Sequence, residues 1–171
     1  MSQIFISYAR EDQTIAQLLA SALSDQGWSV WWDREIKTGT TWARVIEQQM
    51  EVAQCVIVLW SKRSVESEWV RIEAAEGLQR KILIPIVIDD EVDPPLQFRQ
   101  LQTLSLLHWK VDCTSPKFRL LVRDIKPLVD ATQGPVQQVN ETGENSGLYR
   151  RSKNLLYRLP DAWFSHVQRK I

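Results

Sequence analysis

Six apolar residues in a row, Cys55-Val56-Ile57-Val58-Leu59-Trp60, set the strongest constraint on how this chain folds. The run is rich in β-branched side chains and never alternates with polar ones, which is the pattern of a strand covered on both faces. At six residues it is far short of the roughly 20 that a membrane span needs. It therefore predicts a central strand of a parallel sheet with helices packed on either side.

The flanking sequence alternates β-type runs with helical periodicity, as βα units do. Ile4–Ser7 opens the series, and Ile15, Leu18, Leu19, Ala22 and Leu23 then repeat at helical spacing, with Gly27 suited to the helix C-terminus. WSVWW (28–32) reads as a second strand, DREIKTGTT (33–41) as a polar loop, and Val45, Ile46, Gln49, Met50 and Ala53 as one face of a second helix. After the central strand, Ser64 or Ser67 can cap a helix containing Trp69, Ile72, Glu73 and Leu78. ILIPIVI (82–88) is a fourth strand, and Pro85, which has no N–H for the ladder, argues for a place near an edge or bulge. LSLLHW (104–109) holds a short fifth strand. SPKFRLLVRDIKPLV (115–129) is a last helix presenting Phe118, Leu121, Val122 and Ile125.

The character changes beyond Asp130, so the expected organisation is a domain over 1–130, a linker over 131–147 and a separate segment over 148–171. The linker stretch is rich in Gly, Gln, Asn and Thr. The final segment is basic and partly apolar, with six Lys or Arg against one acid, and reads as a helix packing back or an arm for a partner. A formal net charge of zero gives no whole-chain case for nucleic-acid binding. Cys55 and Cys113 have neither CxxC spacing nor histidines nearby, so no metal site or disulfide is expected. The N-terminus enters a strand almost at once, without a secretion signal, and the expected location is cytoplasmic.

A five-stranded α/β sheet serves many functions, so the site must decide among them. The third strand ends in Leu59-Trp60-Ser61 and lacks the aspartate of a phosphoacceptor, and no GxxxxGK[ST] or GxGxxG follows a strand. His108 and His166 are the only histidines, and neither stands near a nucleophile elbow. What remains is a polar and aromatic set at the carboxyl ends of the strands, where open α/β sheets bind ligands. It comprises Ser7 and Tyr8, Asp33 and Arg34, Ser61, and Trp69 with Glu73. Trp69 and Glu73 are i and i+4 on one helix, so an indole and a carboxylate share a face. By spacing alone Glu73 is a solvated helix-surface carboxylate that contributes little to stability.

FISYAREDQ at the N-terminus, the WWDREIKTGTTW loop and SKRSVESEWVRIE together resemble the Toll/interleukin-1 receptor (TIR) domain family over about residues 1–130. The motifs fall on Phe5-Ile6-Ser7-Tyr8, on the loop from Asp33 to Trp42, and on Ser64, Trp69 and Glu73 of a Ser…Trp-x-x-x-Glu element. The resemblance implies a flavodoxin-like sheet ordered 2-1-3-4-5. It also implies cleavage of NAD⁺ at the nicotinamide–ribose bond, by hydrolysis or cyclisation, in bacterial-type defence or signalling. Glu73 is then the essential carboxylate, and Phe5, Ser7, Tyr8, Asp33, Arg34, Trp42, Ser61 and Trp69 are the expected substrate contacts. NAD⁺ is the substrate, so no separate cofactor is called for. Members that are non-catalytic scaffolds acting through TIR–TIR contacts are the alternative. The loop from Asp33 to Thr41 implies self-association that can propagate into filaments, with the site completed across the contact.

Overall fold

The Cys55–Trp60 run forms strand β3, and all six of its residues are buried. It is the middle strand of a five-stranded parallel sheet in a computed structural model that describes residues 3–32, 42–109 and 112–130, with residues 42–44 described by backbone alone. The other strands are β1 (Ile4–Ser7), β2 (Val30–Trp31), β4 (Leu83–Val87) and β5 (Leu104–Ser105), and the spatial order is β2-β1-β3-β4-β5. Each neighbouring pair is parallel, with Ile4 opposite Cys55 and Val56 opposite Leu83. Among the described residues α1 (Gln13–Ser24), α2 (Trp42–Val52) and α3 (Glu68–Gln79) connect successive strands from β1 to β4, and α4 (Pro116–Asp130) follows β5. The expected fold class, a flavodoxin-like α/β sheet in the order 2-1-3-4-5, is the one observed. The expected linker and final segment lie outside the described residues.

Strand alternation sorts the core into two layers. Ile4, Ile6, Cys55, Ile57 and Leu59 point to one face, where they meet Leu19 and Leu23 of α1 and Phe118, Leu121 and Ile125 of α4. Phe5 and Val56 point to the other and pack with Ile46 and Met50 of α2, while Val58 and Trp60 meet Val70 and Ala74 of α3. Each large side chain buried in this way contributes about 1.5–3 kcal/mol of transfer free energy. Burial of the Cys55 thiol in the first layer pushes its pKa well above the usual cysteine range.

Several local readings change in the structure. Leu18 is 37% exposed, because α1 turns Ala16 and Ala20 to the sheet alongside Leu19 and Leu23. Small alanines let the helix lie close, an option that counting large apolar residues overlooks. β2 shrinks to two residues because it pairs only with β1, and Trp28 and Trp32 pack against the core without joining the ladder. Val129 joins the buried face of α4, and Val122 is only partly buried.

Pro85 has a local explanation. Val56 N donates to Ile82 O and Ile88 N donates to Trp60 O, so the even-numbered residues of β4 face β3 and Pro85 faces the β5 side. Pairing with β5 begins only at Ile86, so the ladder asks no N–H of Pro85. β4 is an interior strand whose first half, where Pro85 sits, behaves as an edge.

Two contacts fix α3 in place. Ser67 Oγ accepts from Val70 N at 3.4 Å and caps its N-terminus, as the sequence anticipates. At the other end, Arg80 donates to the carbonyls of Met50 and Ala53, each at 2.5 Å, satisfying acceptors at the end of α2. The guanidinium thereby ties α2 to the end of α3.

Candidate active site at the junction of β1 and α3

The fold brings together the side chains of Ser7 and Glu73, sixty-six positions apart. Ser7 is the last residue of β1 and shares a face with Phe5. Glu73 lies one helical turn beyond Trp69 on α3, and the Ser7 hydroxyl donates to Glu73 Oε2. Trp69, on the same helix, packs against the cluster that contains Phe5.

Glu73 is only 3% exposed, which corrects its reading as a solvated helix-surface residue. A buried carboxylate must be held by hydrogen bonds or charge, and one accepted from Ser7 is the kind that offsets its desolvation. Phe5 is 1% exposed and stacks on Trp31 with ring centroids 4.9 Å apart. Its ring is a core element under the site rather than an open contact surface. Trp31, unremarked in the sequence beyond its strand, supplies that stacking partner.

Tyr8 and Ser61 were expected in the same set, and the structure sends both elsewhere. Tyr8 alternates to the opposite face and is buried in the layer under α1 and α4. Ser61 Oγ donates to Asp12 Oδ2 at 2.6 Å and accepts from Ser64 N at 3.0 Å and Arg63 N at 3.2 Å. That uses one donor and two lone pairs, the full capacity of a hydroxyl, so Ser61 closes the turn after β3. Ser64 Oγ completes the turn by accepting from Ser61 N at 2.7 Å. Asp33 and Arg34 lie outside the described residues. Trp42 begins α2, but its side chain is not among those described.

Asp12, which the sequence placed only in a polar turn, is the titratable group of this network. Burial is the largest influence and raises its pKa above the ordinary 3.8, opposed first by the Ser61 hydrogen bond and aided by the nearby carboxylates of Asp89 and Glu11. Asp12 and Asp89 also line a cavity of about 300 Å³ with Ile15, Ile88, Leu106, His108 and Trp109, on the α1 and α4 side of the sheet. None of the described site residues read from the sequence lines it.

The raised pKa has a testable sign. Between pH 3.8 and the higher folded value, the native protein binds more protons at Asp12 than the unfolded chain, so this group's effect on stability worsens as pH rises through that window. Asp12→Asn keeps an oxygen acceptor for Ser61 and removes the charge. Urea unfolding at pH 7 and at pH 4 should show the variant gaining relative to wild type at pH 7 and losing that advantage at pH 4. A difference independent of pH would contradict the assignment.

Comparison with known proteins agrees with this architecture. The TIR domain family matches residues 4–122, and the chain belongs to that family. A 2' cyclic ADP-D-ribose synthase, BtTIR, from Bacteroides thetaiotaomicron is 35% identical over 98 residues, covering 52% of this chain and 34% of that protein. The chain thus spans about a third of the length of this relative. Among solved structures, the TIR domain of the Toll-related receptor TRR-2 from Hydra magnipapillata superposes with a TM-score of 0.62 at 23% identity, covering 74% of this chain and 99% of that one. A metazoan TIR-STING receptor from C. gigas, solved in complex with 2',3'-cGAMP, gives a TM-score of 0.55 at 23% identity over 75% of this chain and 40% of its own. Both likenesses concern the fold. No helix among the described residues is long and apolar enough to cross a membrane.

Proposed function

We propose that this TIR domain cleaves the nicotinamide–ribose bond of NAD⁺, with Glu73 as the catalytic carboxylate. The observation that carries the reading is the buried Glu73 carboxylate, held by Ser7 at the carboxyl end of β1 and flanked by Trp69. The BtTIR relative supports the same chemistry, since a synthase of cyclic ADP-ribose must break this bond. Nicotinamide departs from a cationic pyridinium as a neutral molecule, so departure needs no general acid. One carboxylate therefore suffices where ordinary glycosidases use two. Positive charge develops on the ribose, and anionic Glu73 stabilises it in surroundings of low dielectric. Trp69 offers an aromatic face for a flat ring of the substrate. Because Glu73 is 3% exposed, entry of the dinucleotide requires local opening around the junction of β1 and α3.

Water attack on the ribose gives ADP-ribose, and attack by an internal nucleophile gives a cyclic product. Concentrated purified protein incubated with NAD⁺ should release nicotinamide, and chromatography of the dinucleotide products distinguishes these outcomes. A non-catalytic scaffold would leave NAD⁺ intact.

Self-association is part of the proposal, because the family's loop, here Asp33–Thr41, implies a site completed across a head-to-tail contact. Nicotinamide release per molecule should then rise with protein concentration over a dilution series followed by light scattering. Constant specific activity from particles that stay monomeric would rule out the shared site.

A further inference from the structure

We propose that Ser7 is a positioning residue for the reaction, acting through Glu73 and not by touching substrate. The inference deepens the reading of Glu73 as the reacting carboxylate and rests on it. Ser7 is 0% exposed and its single hydroxyl donor is committed to Glu73 Oε2, so opening that admits substrate to the carboxylate finds that donor already used. A glutamate carboxylate sits at the end of three rotatable bonds, and its terminal torsion is the softest of them. Tethering one oxygen fixes the plane of the group and hence the line along which its charge meets the ribose.

The tether is anchored well. Ser7 pairs in register with Val58 of β3, and β1 lies between β2 and β3. Phe5, two residues earlier on the same face, is clamped by stacking on Trp31. The donor therefore sits on the interior of the sheet, while the acceptor sits on a helix capped by Ser67 and tied by Arg80 to α2. This is the arrangement by which a rigid supporting shell holds a reactive group within a fraction of an ångström. A serine is well suited to the place: small enough for a fully buried strand end, and carrying one donor that can turn toward the carboxylate.

The test is steady-state kinetics on the full chain with NAD⁺, comparing wild type, Ser7→Ala and Ser7→Cys. Loss of orientation at the reacting group should lower kcat by about 10- to 100-fold in the alanine variant. KM should stay within about twofold, because in this account Ser7 contributes nothing to substrate binding. Melting temperature should fall by a few degrees, as expected for the loss of one buried hydrogen bond in a chain of this size. Ser7→Cys has nearly the same shape and only a weak S–H donor, so its kcat should lie between the other two. If the alanine variant does not fold, the cysteine variant carries the comparison, and wild-type kcat in it overturns the proposal. A raised KM with unchanged kcat would make Ser7 a substrate contact, and a lowered melting temperature with unchanged kinetics would make it merely structural. Either result overturns the positioning role while leaving Glu73 as the reacting group. Absence of nicotinamide release from wild type overturns both.

Discussion

Glu73→Gln should leave a folded protein whose NAD⁺ cleavage is lower than wild type by on the order of a thousandfold. Glutamine keeps the shape of the side chain and an oxygen to accept the Ser7 hydrogen bond, and it removes only the charge that would face the developing cation. The burial of Glu73 makes this the informative substitution. Glu73→Ala would also empty a packed position and leave the Ser7 hydroxyl without its acceptor, costing about 1–3 kcal/mol of stability that confuses the reading. Matched circular dichroism and melting curves for the glutamine variant, with turnover retained, would remove Glu73 from the chemistry.

Gly77→Val should be the most damaging single change on α3. Gly77 is one turn beyond Glu73, and a Cβ there would lie 3.0 Å from Val56 Cβ and 3.3 Å from Leu83 Cδ1. Both neighbours belong to the sheet, so there is little room to yield. Glycine inside a helix costs about 1 kcal/mol relative to alanine, and its presence here is explained by the close approach of α3 to β3 and β4 that it allows. Alanine regains that propensity while meeting the short contacts, so the two effects oppose each other. Valine adds two further methyls and should lower stability by about 3 kcal/mol, at the upper part of the overpacking range. The helix is lifted where it carries Glu73 to Ser7, so turnover should fall along with melting temperature. A valine variant with wild-type melting and activity would mean that the spacing between α3 and the sheet is not what places Glu73.

Much of the fold is legible because burial on both faces writes itself locally into β3, and helical periodicity survives in α1, α2 and α4. The extent of β2 and β5 is not, since their length is set by where a neighbour offers a ladder and not by their own residues. The motif residues of the site are legible as a list, yet their arrangement is not. Spacing places Trp69 and Glu73 on one helical face. It says nothing of a serine sixty-six positions away that buries the carboxylate. Strand alternation could have separated Tyr8 from Ser7, since consecutive strand residues face opposite ways. Gly77 carried a usable signal, because a glycine in the middle of a helix implies close packing. Asp12 and Arg80 carried none, since their roles depend on partners brought near only by the tertiary fold.

The most direct test of the account follows NAD⁺ by proton NMR in two samples at the same high concentration, one of wild-type protein and one of folded Glu73→Gln. The account predicts growth of free nicotinamide resonances in the wild-type sample alone. Equal release from both samples, or none from wild type, would contradict it.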